Sequence, residues 1–259
     1  KMRLDKYLCE AGLGTRSQVK KLLKSGVVAV NGRTVLRPEQ KLSETDRVEV
    51  SGKEISVSEF EYWMLNKPDG YVSATEDRTF PTVLELLPEG ARGDLFPVGR
   101  LDRDTEGLLL LTNDGKLAHF LLSPRRHVDK VYYARIRGEI TEAHVKAFEE
   151  GLDIGDEKRT LPAVLEILPK SREKDAGASE WESRESEDCT PEAEPEIRVT
   201  LREGRYHQVK RMFEAVGCRV MYLKRLSMGS LRLDETLAPG EARPLTEEEV
   251  KVLKEETGC

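Results

Sequence analysis

Three segments of the chain concentrate side chains that can do acid–base, nucleophilic or phosphate-binding chemistry. The densest is Val98-Gly99-Arg100-Leu101-Asp102-Arg103-Asp104-Thr105-Glu106-Gly107, where carboxylates alternate with arginines directly before an apolar run. Asp102, Asp104, Glu106 and Gly107 imitate the first half of an EF-hand loop. The twelfth position, however, is Asn113 instead of a bidentate Glu, and Leu108–Leu111 reads as a strand where ligands would be needed, so calcium is not expected. A charged turn feeding a strand is the plainer alternative, but it leaves the Asp–Arg cluster unexplained. The second segment runs from Leu201 to Phe213 (LREGRYHQVKRMF) and brings bases and a helix start to one place after a Gly turn. The third is a basic face on which Arg16, Lys20 and Lys24 recur every four residues, the spacing that aligns side chains along one side of a helix.

The elements that must carry these groups follow from periodicity and punctuation. Leu4, Leu8 and Ala11 repeat at helical spacing, and Gly12 and Gly14 stop them. Thr15 with Gln18 is a capping box that opens a second helix, apolar at Val19, Leu22 and Leu23 and ended by Ser25-Gly26. Val27–Val30 reads as a strand and Asn31-Gly32 as a hairpin turn. Leu42–Val50 is expected as one further strand and Ser51–Glu59 as a polar linker, with a larger unit starting near Phe60. In that unit strands are expected over 62–65, 108–111, 131–137, 163–168, 197–201 and 219–226. Helices are expected over 82–87, 116–122, 142–150, 207–216 and 246–256. Strands and helices mix without regular βαβ alternation, which predicts an α+β fold.

The 259 residues carry a formal charge of −6 and a pI near 5.5, which on their own speak against a nucleic-acid partner. The distribution says otherwise. Segment 171–196 holds ten acids against three bases, with few core formers, and reads as a disordered insertion. The tail 241–259 holds six acids against three bases. By contrast, 1–35 has a net charge of +6 and 201–225 of +5. Over a Debye length of about 8 Å such local patches, not the total, attract phosphate. No apolar run reaches the ~18 residues of a membrane helix, and the N-terminus has no signal-peptide pattern, Lys1 before Met2 reading as a trimmed start. Four scattered cysteines fit neither a zinc site nor a disulfide framework, so a cytoplasmic setting is expected.

The N-terminal stretch MRLDKYL…TRSQVKKLLKSGVVAVNG resembles the S4 (αL-type) RNA-binding module, in the spacing of Arg3, Arg16, Lys20 and Asn31-Gly32. NKPDGYVSAT (66–75), PVGRLDRDTEGLLLLTNDG (97–115), SPRRHVDKVYYARI (123–136) and EGRYHQVKRMFEAVG (203–217) resemble the RsuA/RluB/RluE/RluF group of bacterial rRNA pseudouridine synthases. The start and the LAPGEARPLTEEEV stretch (237–250) look most like the 16S rRNA member. The resemblance implies an S4 domain with its linker over 1–58 and a mixed, mainly antiparallel synthase domain over 59–259, interrupted by the 171–196 insertion. It implies a catalytic carboxylate at Asp102, with Lys210 as its cationic partner and Arg211 as the neighbouring alternative. Arg100 would hold the everted nucleotide and Tyr132 would pack against the target base. RNA contacts are expected at Arg3, Arg16, Lys20, Lys24, Lys67, Arg205 and Arg211, with support of the site as the alternative role of Lys67. The implied reaction breaks the uridine N1–C1′ bond, turns the base and rejoins it through C5. It needs no metal or other cofactor. Whether the Asp attacks C1′, adds to C6 or takes a proton from C2′ stays open. The implied partner is ribosomal RNA, 16S or an assembling small subunit, bound by a monomer with no membrane attachment. Two alternatives stand beside this reading: a 23S rRNA synthase, and a non-catalytic S4-type assembly factor.

Overall fold

The computed structural model describes residues 2–258 except 12, 44, 56–59, 124–125 and 170–193. The expectation placed on most of the acidic insertion lies outside the described residues. The chain divides into two compact units, Lys1–Glu61 with Leu87–Leu95, and Tyr62–Leu86 with Phe96–Cys259.

The first unit contains β1 (Met2–Arg3), α1 (Leu4–Glu10), α2 (Arg16–Lys24), β2 (Val28–Val30), β3 (Arg33–Thr34), β4 (Lys41–Leu42), β5 (Val48–Val50) and β6 (Lys53–Ile55). Thr15 and Gln18 form the capping box of α2 in both directions. Val19 and Leu23 turn inward from α2 onto Leu4 and Leu8 of α1 and onto Val28, Val30 and Val48 of the sheet. Asn31 and Gly32 both take positive φ (51° and 73°), the twist a two-residue hairpin demands, and join β2 to β3. Two expectations fail here. Residues 42–50 are not one strand: Leu42 belongs to β4, which pairs with β1, whereas Val48–Val50 pairs with β2. The break is made by Asp46, whose carboxylate accepts from the Ser43 backbone N–H (2.8 Å) and from the Asn31 side-chain amide (2.9 Å). Nor is 51–59 simply a linker, because Ser51-Gly52 turns the chain and Lys53–Ile55 pairs back on β5.

The second unit is built on a nine-stranded sheet. Its elements are β7 (Tyr62–Lys67), a single 3₁₀ turn (Val83–Leu86), β8 (Phe96–Pro97), β9 (Glu106–Thr112), α3 (Gly115–Leu122), β10 (Lys130–Arg137), α4 (Glu142–Glu150), β11 (Val164–Ile167), β12 (Glu196–Leu201), α5 (Gln208–Ala215), β13 (Arg219–Met228), β14 (Leu231–Arg232), β15 (Ala242–Pro244) and α6 (Glu247–Thr257). The order across the sheet is β11-β12-β10-β13-β9-β7-β15, with β8 on β9 and β14 on β13. Among the described strands of this sheet, every pairing is antiparallel except β13 with β9. This is the expected mixed, mainly antiparallel α+β architecture. The strands flanking the acidic insertion, β11 and β12, pair antiparallel with each other. Leu108–Leu111 of β9 are fully buried, as a strand covered on both faces must be.

The parallel crossing of β9 and β13 depends on Gly107. Its φ is +96°, and a Cβ there would collide with the backbone N and O of Arg225 on β13. No side chain can stand between the strands at that point, so the end of the Asp102 loop is held directly against β13.

Candidate active site

Asp102 lies in the loop between β8 and β9, and that loop is held from both ends. Ahead of it, Ser73 Oγ donates to the Leu101 carbonyl (3.0 Å) and accepts from the Leu101 N–H (3.1 Å). Behind it, the Lys67 ammonium donates to the carbonyls of Arg103 (2.8 Å), Thr105 (2.9 Å) and Pro68 (3.0 Å). The Gly70 N–H adds a second bond to the Arg103 carbonyl (3.1 Å). Lys67 has 0% exposure and all three of its donors are spent on backbone beneath the loop, which fits the site-supporting alternative and not the phosphate contact. Burial pulls its ammonium down to about 8, while the charges of Asp69, Asp104, Glu106 and Asp102 oppose the shift.

The other side of the site comes from α5. Lys210, in its first turn, places Nζ 3.2 Å from Asp102 Oδ2 and 2.6 Å from Asp104 Oδ1. Burial works against both charges, but the hydrogen bonds and mutual attraction win. The Asp104 carboxyl is held below its ordinary value and the Lys210 ammonium above its own. Between Asp102 and Asp104 there is thus a lysine, and the residues that would complete a calcium loop are strand β9. His207 approaches the other carboxylate oxygen, with Nε2 3.5 Å from Asp102 Oδ1. It caps α5 with left-handed backbone (φ 48°, ψ 35°), costing about 1–3 kcal/mol for a non-glycine residue. Its side chain makes no capping bond and instead faces Asp102, with Tyr206 stacked on its ring at 3.8 Å.

The turn before α5 is held by a buried polar network. Gln208 donates to Glu203 (2.8 Å) and accepts from the Arg205 N–H (2.9 Å), and Glu203 also accepts from the Leu161 N–H (2.8 Å). Arg205 and Arg211, expected to reach RNA, are drawn into this framework instead. Arg205 pairs with Glu203 and Asp156 and donates to the carbonyls of Lys158 and Arg159. Arg211 pairs with Asp156 and donates to the carbonyls of Ile154 and Tyr206. Arg205 pins the 154–159 loop to the turn before α5, and Arg211 pins it to α5 itself.

A cavity of about 590 Å³ opens beside Asp102. Arg100, Asp102, Tyr132 and Lys210 all line it, so the four residues expected at the reaction centre share one cavity. Tyr132 is 9% exposed and stands on β10 directly across from Arg225 of β13. Three lining residues escaped the reading of the sequence in a functional sense: His207, Lys130 and Arg225. The only local signal for the first was its place in the YHQVK stretch. The other two sit in alternating strand patterns where a basic residue reads as exposed. Arg3, Arg16, Lys20 and Lys24 belong to the first unit and not to this cavity. There the side chains of Arg16, Lys20 and Lys24 are exposed, while Arg3 makes a two-point pair with Asp5 (3.0 and 2.7 Å).

The arrangement offers one carboxylate flanked by a lysine and a histidine, at the edge of a cavity walled by a tyrosine that can take a flat ring. Residues 61–215 match the family model described as RNA pseudouridylate synthase, and residues 2–48 match the S4 domain. The chain is 45% identical over 256 residues to YtzG, an uncharacterized RNA pseudouridine synthase of Bacillus subtilis (strain 168), covering 98% of this chain and 99% of that protein. It is 42% identical over 250 residues to ribosomal small subunit pseudouridine synthase A of Vibrio cholerae, covering 96% and 98%. A crystal structure of a pseudouridylate synthase superimposes with a TM-score of 0.63 at 36% identity, covering 98% of this chain and all of that one. With motif, cavity and full-length similarity in agreement, the chain belongs to the RNA pseudouridylate synthase family, as an isomerase that carries an S4 domain ahead of its synthase fold.

Proposed function

We propose that this enzyme converts one uridine of 16S ribosomal RNA to pseudouridine, with Asp102 as the catalytic carboxylate. The observation that carries the reading is the Asp102 carboxylate held between Lys210 and His207 at the edge of the cavity lined by Tyr132. The names of the small-subunit relatives support 16S rRNA as the substrate. The reaction breaks N1–C1′, turns the detached base and joins C5 to C1′. It rearranges one nucleoside without net gain or loss of atoms or electrons, so it calls on no redox cofactor or energy source.

In this reading the site residues divide the work. Lys210 fixes the carboxylate and balances its charge from one side. Tyr132 packs against the everted base, and stacking of about 1–3 kcal/mol offsets part of the cost of unstacking it from the RNA. Arg100, exposed at the cavity wall, holds the nucleotide's backbone. Residues 1–58 act as the S4 domain, in which Arg3, Arg16, Lys20 and Lys24 contact phosphates and supply affinity and register rather than base identity. Residues 59–259 act as the catalytic domain. The enzyme works as a cytoplasmic monomer on free 16S rRNA or on an assembling subunit; among the described residues no helix is long and apolar enough to cross a membrane.

Mapping pseudouridine at nucleotide resolution in both rRNAs of a strain lacking the gene tests this. One site missing from 16S rRNA is the expected result. A missing 23S site would move the substrate to the large subunit, and an unchanged pattern in both would count against catalysis on rRNA.

A further inference from the structure

Two buried cations in the cavity have no part in the mechanism above. Lys130, the first residue of β10, is 6% exposed, and its ammonium donates one hydrogen bond, to the Val128 carbonyl at 3.1 Å. Arg225 on β13 is 2% exposed. Its Nε donates to the Leu108 carbonyl (2.8 Å), but its Nη2 is buried with no partner among the described residues. Neither side chain forms an ion pair with a carboxylate among the described residues. Burial, aided by the neighbouring charge of Arg225 and opposed by Asp129, pulls the Lys130 ammonium down to about 8.

Register brings both to the same spot. Arg225 is the cross-strand partner of Tyr132, and Lys130 precedes Tyr132 by two residues, hence on the same face of β10. All three line the cavity that holds Asp102. Holding two like charges in a buried place costs stability unless something accepts their hydrogen bonds. A purely structural role accounts for Arg225 Nε, which ties β13 to β9. It does not account for the idle Nη2 or for the donors left on Lys130.

We propose that Lys130 and Arg225 bind the carbonyl oxygens of the everted uracil as it packs on Tyr132, and so select uracil over cytosine. The inference rests on the function proposed above. Uracil presents acceptors at both O2 and O4, which suits a wall made only of donors. Cytosine replaces O4 with an amino group, and a donor would then face a donor. The pairing therefore discriminates by leaving polar groups unsatisfied with the wrong base, the strongest form of exclusion available to a buried site.

The test measures single-turnover conversion at saturating RNA, with RNA affinity measured separately. Lys130→Met and Arg225→Met are each expected to lower the rate roughly 10- to 100-fold while the RNA Kd moves less than about threefold. Lys130→Arg is expected to recover most of the rate. The second arm uses wild-type enzyme and RNA with 2-thiouridine or 4-thiouridine at the mapped target. At least one thio substitution is expected to slow conversion, because sulfur is the weaker acceptor, and that slowing is expected to vanish in the variant lacking its donor. Folded Met variants with near wild-type rates would overturn the inference. So would a thio effect that persists unchanged in both variants, or, should the variants not fold, the absence of any thio effect in the wild type. Failure of the wild type to convert any rRNA uridine would instead overturn the proposed function and this inference with it.

Discussion

The basic face of α2 and the basic residues of the synthase cavity look alike in the sequence, at +6 over residues 1–35 and +5 over 201–225, yet they are opposite kinds of surface. On α2 the side chains of Arg16, Lys20 and Lys24 stand exposed, free to meet a phosphate chain of variable shape. Around the cavity several cations are committed, whereas Lys130 and Arg225 keep donors to spare. Lys67 braces the Asp102 loop from below, Lys210 bridges two carboxylates, and Arg205 and Arg211 clamp the 154–159 loop. Exposed charges give affinity that depends on salt, whereas buried and paired ones give geometry that salt hardly touches. The lesson is that a count of basic residues measures neither property until burial and partners are known.

Each of the following experiments separates the two surfaces. The largest effect is expected at the cavity: Asp102→Asn should lower single-turnover conversion by roughly 10⁴-fold or more while RNA binding, measured by filter retention, persists. A variant keeping substantial turnover would remove Asp102 from the chemistry. Next comes Lys210→Met, which frees the carboxylate from its partner. A loss of about a hundredfold in rate with little change in KM is expected, and a change confined to KM would make Lys210 an RNA contact after all. For the α2 face, replacing Arg16, Lys20 and Lys24 together with Gln should do the reverse. KM should rise with kcat unchanged, and the salt slope of log KM should flatten by roughly 0.7–0.9 per charge that contacts phosphate. An unaltered slope would show that α2 does not touch RNA.

The smallest effect concerns Lys67. Its ammonium is pulled down to about 8 in the fold from an ordinary 10.5, so its charged form destabilises the native state. That cost is fully present below pH 8 and is relieved as pH rises toward 10.5, where the unfolded chain still binds the proton that the folded chain has released. The stability of the wild type relative to Lys67→Met, from urea unfolding, should therefore increase between pH 8 and 10. A flat or falling difference would mean that the three carbonyls hold the charged form more firmly than burial opposes it.

What the sequence disclosed was local. The capping box at Thr15 and Gln18, the Asn31-Gly32 turn, the apolar run of β9 and the bounds of α4 all rest on neighbours within a few residues, and all are found. The failures were long-range and polar. Asp46 ends one strand and sets up another by reaching Asn31 across the hairpin. Lys67 becomes a buried brace because three carbonyls converge on it, two of them from the Asp102 loop. Arg205 and Arg211 look like phosphate contacts until the 154–159 loop folds over them. Lys130 and Arg225 sit in alternating strands, and only the pairing of β10 with β13 shows that both flank Tyr132. No periodicity or propensity reports such convergence, because it is made by the closing of the sheet.

The most direct test of the account is product mapping with purified protein. Unmodified 16S and 23S transcripts are incubated separately with the wild type and with Asp102→Asn, and pseudouridine is located at nucleotide resolution. The account predicts one converted uridine, in 16S rRNA, with the wild type and none with the variant. Conversion by Asp102→Asn, or no conversion of either rRNA by the wild type as free RNA or within an assembling subunit, would contradict it.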